Sequence, residues 1–200
     1  MDRIVGVALE LVDEEGAEAL SMRSLAQRLG SGTATLYRHF ANRAELVAMV
    51  VDRMLGEVVI DRAPGLPWDE ACIAFGHAMF DALGRHGNAA PLLLGHVPVG
   101  PNAMAQREFL LSLLLGNGFS AESAACTYAT LSRYVLGFAM QVRASAASEE
   151  QDAAAAEAFG RLDPATYPAT AAVAGYLPVP LADEFSFGLR LICAGLARRS

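Results

Sequence analysis

Between Ala19 and Ala44 the chain carries Arg23, Arg28, Arg38, Arg43 and His39, with no Asp or Glu. Guanidinium groups present paired N–H donors that match phosphate oxygens. Thr33 and Thr35 add short hydroxyls of the kind that reach base edges in a groove. Tyr37, His39 and Arg43 are donors suited to backbone phosphates around it. Ser21 stands just ahead of an apolar-periodic run, where its hydroxyl caps a helix and the first N–H groups favour an anion. Arg23 can reach a phosphate or a guanine edge, and Arg38 adds to the local positive field. The candidate DNA contacts are Ser21, Arg23, Thr33, Thr35, Tyr37, Arg38, His39 and Arg43.

A basic stretch alone is commonly a solvated face, so the elements that position it decide the matter. Met22 to Leu29 reads as a helix burying Leu25, Ala26 and Leu29, and Gly30 ends it. Ser31-Gly32 makes a tight turn into a second short helix, Thr33 to Phe40, whose Leu36 and Phe40 face inward at i, i+4. Ahead of this pair, Ile4, Val5, Ala8, Leu9 and Val12 form an apolar stripe that Gly16 stops. Behind it, Asn42 caps a helix through Leu46, Val50 and Met54 towards Val58. Two short helices across a tight turn, with the basic residues on them, are a helix-turn-helix layout in which the second helix enters the major groove.

These residues carry a resemblance. The run Ser21-Met22-Arg23-Ser24-Leu25-Ala26-Gln27-Arg28-Leu29-Gly30, then Thr35-Leu36-Tyr37, His39-Phe40, Arg43 and Leu46, is similar to the tetracycline-repressor family of bacterial regulators. The resemblance implies a three-helix DNA-binding domain, a linking fourth helix, and an all-α domain for ligand binding and dimerisation. It places Thr33, Thr35 and Tyr37 in the recognition helix, Arg23 at a base- or phosphate-contacting position, and His39 and Arg43 at backbone-contacting positions. The turn Ser31-Gly32-Thr33-Ala34 departs from the commoner pattern, which bears on the operator sequence read. Pro67-Trp68, Gly95 to Pro98, Asn117 to Ser120 and Leu136-Gly137 are similar to the C-terminal domain of the tetracycline repressor. Where the resemblance implies a His and a Glu that help hold the drug's magnesium, this chain has Leu93 and Gln141. Phe75 and Leu110 replace polar drug contacts, and Met79 replaces a Phe. Magnesium takes oxygen ligands, so a magnesium–tetracycline effector is not expected.

Composition frames this reading. The net charge of the 200-residue chain is −7, and every one of its 15 cationic side chains is Arg. Taken whole, such a chain argues against nucleic-acid binding. The window from Ala19 to Ala44 nevertheless carries +4, which leaves −11 on the remainder. At 54% hydrophobic residues a buried core is assured and extensive disorder excluded. The mean hydropathy is +0.31, yet no run reaches the roughly 18 apolar residues of a membrane span. Met1-Asp2-Arg3 leads into an amphipathic pattern and not a signal peptide, so the cytoplasm is expected. Cys72, Cys126 and Cys193 read as buried free thiols.

No segment alternates as a half-buried strand does, so the expected class is all-α with nine or ten helices. Pro64, Gly65 and Pro67 mark a boundary, dividing the chain into residues 1–60 and 61–200. The second part should hold helices over Trp68 to Arg85, Asn102 to Leu115, Ser120 to Ala144 and Leu181 to Arg199. A short helix or turn over Asn88 to Pro101 and a weakly structured stretch from Ser145 to Pro180 complete it. An effector pocket among them should be apolar with a few polar anchors. Its candidate lining is Phe75, Met79, Leu93, His96, Phe109, Leu110, Tyr134, Phe138 and Gln141, with His96 and Gln141 as anchors. The implied effector is a hydrophobic or amphipathic small molecule. A small-residue stripe of Ala125, Ala129, Ser132, Leu136 and Ala139, with the final helix, suggests a homodimer through a four-helix interface. Such a dimer would read palindromic double-stranded operator DNA as a ligand-released repressor.

No metal cluster and no cofactor motif is evident, since the histidines are scattered. Nor is there an H-E-x-x-H, a G-x-S-x-G or a phosphate loop, so an enzyme is not expected. An activator or ligand-independent regulator, and more remotely an all-α enzyme or carrier, are the other readings the residues leave open.

Overall fold

The computed structural model describes residues 1–60, 66–95, 97–142 and 146–197. Among them are ten α-helices and no strand. Helix α1 (Asp2–Glu15) buries Val5, Ala8, Leu9, Leu11 and Val12, as its stripe requires. It stops at Gly16, where φ is +90° and the Gly16 N–H donates to the Val12 carbonyl at 2.7 Å. A 3₁₀ turn (Ala17–Ala19) leads to α2 (Met22–Arg28), and a second turn leads to α3 (Thr33–Tyr37), shorter than the sequence suggested. Gly30, at φ +63°, makes that turn possible, and the Ser31 N–H closes it on the Ala26 carbonyl at 2.9 Å. Leu25, Leu36, Phe40 and Leu46 are fully buried or nearly so and form the core of this unit.

Helix α4 (Arg43–Leu55) packs on α1 and continues to the second part of the molecule, where it meets α5 (Trp68–Arg85) and α6 (Pro101–Gly116). Between α5 and α6 the chain makes a 3₁₀ turn (Ala90–Gly95). Helix α7 (Ala121–Ala139) lies along α5, and α10 (Leu181–Leu196) packs on both. Phe185 centres that contact. It stacks on Phe80 at 4.3 Å and on Tyr134 at 5.4 Å, and meets Phe138 edge-on at 5.5 Å. The Tyr134 hydroxyl donates to the Phe185 carbonyl at 2.9 Å. This approach requires a glycine at 188, since a Cβ there would lie 2.2 Å from the Tyr134 Oη. Trp68 meets Phe119 edge-on at 5.0 Å, which fixes the start of α5 against the α6–α7 turn.

Three expectations are corrected here. Helix α7 ends at Ala139, five residues short of Ala144, with the Met140 N–H bonded to the Leu136 carbonyl. The stretch called weakly structured is helical over α8 (Ala146–Gly160) and α9 (Pro168–Val173), followed by a 3₁₀ turn at Ala174–Tyr176. Its Ala-rich composition has high helix propensity but little amphipathic period, so periodicity alone passes over it. Cys126 is exposed, whereas Cys72 and Cys193 are buried as expected. Burial pushes the Cys72 thiol up to about 12 and the Cys193 thiol to about 11.

Candidate functional site

The second helix of the N-terminal unit is held by its own serines. Ser21 Oγ accepts from the Ser24 N–H at 3.0 Å, and Ser24 Oγ accepts from the Ser21 N–H at 3.0 Å. The Ser24 hydroxyl also reaches the Ala19 carbonyl at 2.6 Å, which links the helix to the preceding turn. Ser21 is thus the helix cap expected of it, its oxygen accepting within this capping box. Asn42 caps α4 in the same way, with Oδ1 accepting from the Glu45 N–H at 3.0 Å. The Glu45 carboxylate turns back to accept from the Ala41 N–H at 2.6 Å.

The four arginines of the basic window divide into two kinds. Arg28 is paired with Glu14 and, at 3.3 Å, with Glu15, so its charge is spent on tying α2 to the end of α1. The hydrogen bond it donates to Glu14 holds its pKa above the ordinary arginine value. Arg43 is likewise engaged. Its Nε donates to the Leu20 carbonyl at 2.6 Å and its Nη2 to the Ala17 carbonyl at 3.4 Å. That makes it a clamp on the turn before α2, a role not expected from the sequence. Arg23 and Arg38 are exposed and have no ion-pair or hydrogen-bond partner among the described residues. On α3, Thr33, Thr35 and Tyr37 are exposed, Tyr37 by 57%. His39 follows, exposed, with its ring against the edge of Phe40 at 6.4 Å. The buried partners Leu36 and Phe40 hold this face outward. It presents two hydroxyls, a phenol, an imidazole and two free guanidinium groups, a donor set suited to a DNA groove and its phosphates.

A cavity of about 640 Å³ lies where α5, α6 and α7 meet the end of α4. Phe75, Met79 and Leu93 line it, as expected. Phe109 stacks instead on Phe75 at 6.0 Å, and Leu110 is wholly buried in the core. Tyr134 and Phe138 belong to the Phe185 cluster, where aromatic residues at helical spacing serve packing. Gln141 lies beyond the end of α7, donates to the Gly137 carbonyl at 3.1 Å and is not among the residues lining the cavity. His96 lies outside the described residues. The polar lining that sequence reasoning missed is Gln106, Arg107, Tyr128, Ser132 and Arg133. Arg107 and Tyr128 come from different helices, so only the fold brings the guanidinium 5.3 Å above the ring. Ala129, Ser132 and Leu136 of the small-residue stripe also face this cavity and not outward.

A second, larger hollow of about 780 Å³ runs between α1, α4 and residues 97–102, and shares Leu93, Val97 and Pro98 with the first. Its lining is mostly apolar but includes Asp2, Asp52, Arg53 and Glu57, so it is an apolar cleft with charged residues among its walls, between the two parts of the chain.

Contacts across that junction are specific. Asp52 of α4 is 9% exposed and receives the Ala103 N–H on Oδ1 at 3.0 Å and the Asn102 N–H on Oδ2 at 3.4 Å. The Asn102 amide donates back to the Asp52 carbonyl at 3.0 Å. A carboxylate of α4 thus caps the N-terminus of α6, where the helix dipole favours it. Gly100 permits the approach, because a Cβ there would sit 2.3 Å from Asp52 Oδ1. Gln106, one of the cavity residues, donates to the Leu55 carbonyl at 3.4 Å. On the other side His86 bridges Asp13 at 2.8 Å and Glu57 at 3.1 Å.

No group of three or more His, Cys, Asp or Glu among the described residues could hold a metal ion. No helix among them is long and apolar enough to cross a membrane.

Known proteins carry the same organisation. The family model "Bacterial regulatory proteins, tetR family" matches residues 4–50, and "Tetracyclin repressor-like, C-terminal domain" matches residues 63–200. An HTH-type transcriptional regulator of Saccharopolyspora erythraea is 33% identical over 98% of this chain and 84% of that protein. The HTH-type transcriptional repressor DrrR1 of Streptomyces coeruleorubidus is 29% identical over 98% of this chain and 76% of its own length. The crystal structure of ActR of Streptomyces coelicolor in complex with actinorhodin superposes with a TM-score of 0.89. It is 32% identical and covers 100% of this chain and 95% of that one. With both family models matched in order and the whole chain aligned to such relatives, this chain belongs to the tetracycline-repressor family of bacterial transcriptional regulators.

Proposed function

We propose that the protein is a ligand-responsive repressor that binds palindromic operator DNA as a homodimer and leaves it when a small molecule fills the cavity under α4. Residues 1–60 form the DNA-reading unit and residues 61–200 the sensing and dimerising unit. The observation that carries the reading is the attachment of α4, which continues from the helix-turn-helix, to the cavity helix α6 through Asp52, Asn102 and Gln106. A ligand of hydrophobic or amphipathic character would lie against Phe75, Met79 and Leu93. Displacing α6 would then move α4 with it, because the capping bonds of Asp52 break unless the two helices travel together. Release follows only if the ligand binds the DNA-incompetent arrangement more tightly than the competent one. The names of DrrR1, a repressor, and of ActR, crystallised with actinorhodin, support both halves of this reading.

Dimerisation would use the outer faces of α7 and α10. Phe187 and Leu191 of α10 are 65% and 58% exposed and lie one turn apart. A two-fold axis there would set the two α3 helices about 34–36 Å apart or somewhat more, matching half-sites in successive major grooves. The test is to map bound sites across the genome and titrate one mapped duplex while sedimentation reports mass. A dimer at micromolar concentration on a two-fold-symmetric site supports the reading. A monomer, or sites without two-fold symmetry, overturns it.

A further inference from the structure

The apolar character of the cavity is only half of its chemistry. Its polar lining includes two guanidinium groups, Arg107 and Arg133, and no carboxylate. In a chain of net charge −7 this is a local inversion, as in the DNA-reading window. Neither arginine has an Asp or Glu partner among the described residues, although arginines elsewhere in the chain, Arg28, Arg85 and Arg161, do. Arg107 is half-buried and makes do with weak partners. Its Nη2 donates to the Pro98 carbonyl at 2.8 Å, its Nη1 points to the Met104 sulfur at 2.8 Å, and its plane lies over Tyr128. Arg133 is exposed and donates to the Ala129 carbonyl of its own helix at 3.3 Å. For Arg107, being partly withdrawn from water without a counter-ion is costly, and an anion brought by a ligand would relieve that cost. The remaining N–H groups of a guanidinium suit a carboxylate or sulfonate bidentately. Opposite them, Phe75 and Met79 suit a flat apolar body.

We infer that the cavity selects amphipathic anions: a flat apolar or aromatic body carrying a carboxylate, sulfonate or acidic phenol, held between Arg107 and Arg133 on one side and Phe75 and Met79 on the other. This rests on the ligand-responsive reading above and names the effector's chemical class. It also assigns Arg107 a double role. By holding the Pro98 carbonyl, it ties the segment leading into α6, and an anion would compete for the same guanidinium.

The probes are 8-anilinonaphthalene-1-sulfonate and N-phenyl-1-naphthylamine, which share one ring system and differ by the sulfonate. Both are titrated by fluorescence into the full chain and into Arg107→Met, Arg133→Met and Arg107→Lys variants checked for native circular dichroism. The expected result is that Arg107→Met raises the Kd of the sulfonate at least tenfold and that of the neutral amine less than twofold. Arg133→Met should show the same preference more weakly, and Arg107→Lys should restore part of it. Ala129→Trp, which fills the cavity, should remove both signals. Equal effects of Arg107→Met and Arg133→Met on the two probes overturn the inference, as does sulfonate binding that survives Ala129→Trp. Release from a mapped operator duplex is read in parallel by anisotropy. If both probes release DNA equally, the anion preference fails and ligand-responsive regulation stands. If the sulfonate is preferred through Arg107 yet releases no DNA, the preference stands and the regulatory reading fails.

Discussion

The two cationic regions of this acidic chain are built in opposite ways. In the helix-turn-helix, charge is presented outward by residues close in sequence, and half of the arginines are consumed in holding the unit together. In the cavity, charge comes from a half-buried and an exposed arginine on two helices, and neither has a carboxylate partner among the described residues. A surface that meets a polyanion needs only exposed donors in register, since the partner supplies the opposite charge and water screens the rest. A cavity that meets a small ligand must instead keep its cation poised by weaker neighbours. The comparison separates arginines that bind from arginines that build.

The largest expected effect breaks the outward face. On the proposed dimer, replacing Arg23 and Arg38 together by Ala would remove four phosphate contacts. Affinity should fall about 100-fold, and the slope of log K against log salt should become shallower by roughly three to four. Anisotropy titrations at several salt concentrations read both quantities, and probe binding in the cavity should not change.

Next comes the link between the regions. Gly100→Ala places a methyl against Asp52, which must withdraw from the N-terminus of α6. The lost cap should cost about 1–3 kcal/mol in thermal or denaturant unfolding. It should also reduce the effect of a cavity ligand on DNA release. A Gly100→Ala protein with undiminished ligand response would show that Asp52 is not the connection.

Thr35→Ala should cost about 1 kcal/mol on the mapped operator, less on altered sequences, and so flatten the ranking of base substitutions. Tyr37→Ala, by contrast, should weaken all sequences alike. The smallest effect on DNA is expected for Arg28→Ala. With Glu14 and Glu15 already beside it, the salt slope should hold, and the change should appear only as a small loss of stability in denaturant unfolding. A marked drop in the slope would add Arg28 to the DNA-binding set.

Much of this was legible in the sequence where the information is local. Ser21 and Asn42 cap the helices they precede, Leu36 and Phe40 turn inward, and Thr33, Thr35 and Tyr37 remain outside. Spacing along one helix decides each of these. The same logic failed for Arg43, because nothing within its own helix announces carbonyls of Ala17 and Leu20 more than twenty residues away. It failed again at Tyr134 and Phe138. Their helical spacing is equally suited to a cavity or a core, and Phe185 of α10 decides for the core. Arg107 and Tyr128 were invisible as a pair, since α6 and α7 must first pack. For α8 the signal was present but of another kind, Ala content and not period.

The clamps of the N-terminal unit have a calorimetric consequence. Ser21, Ser24, Asn42, Glu45 and Arg43 already satisfy the backbone groups at the ends of its short helices. The unit therefore meets DNA folded, and little ordering remains to be coupled to association. Its binding heat capacity should be set by the contact area alone, well short of the change that accompanies segments that bury about 1,000–3,000 Å² by folding on their target.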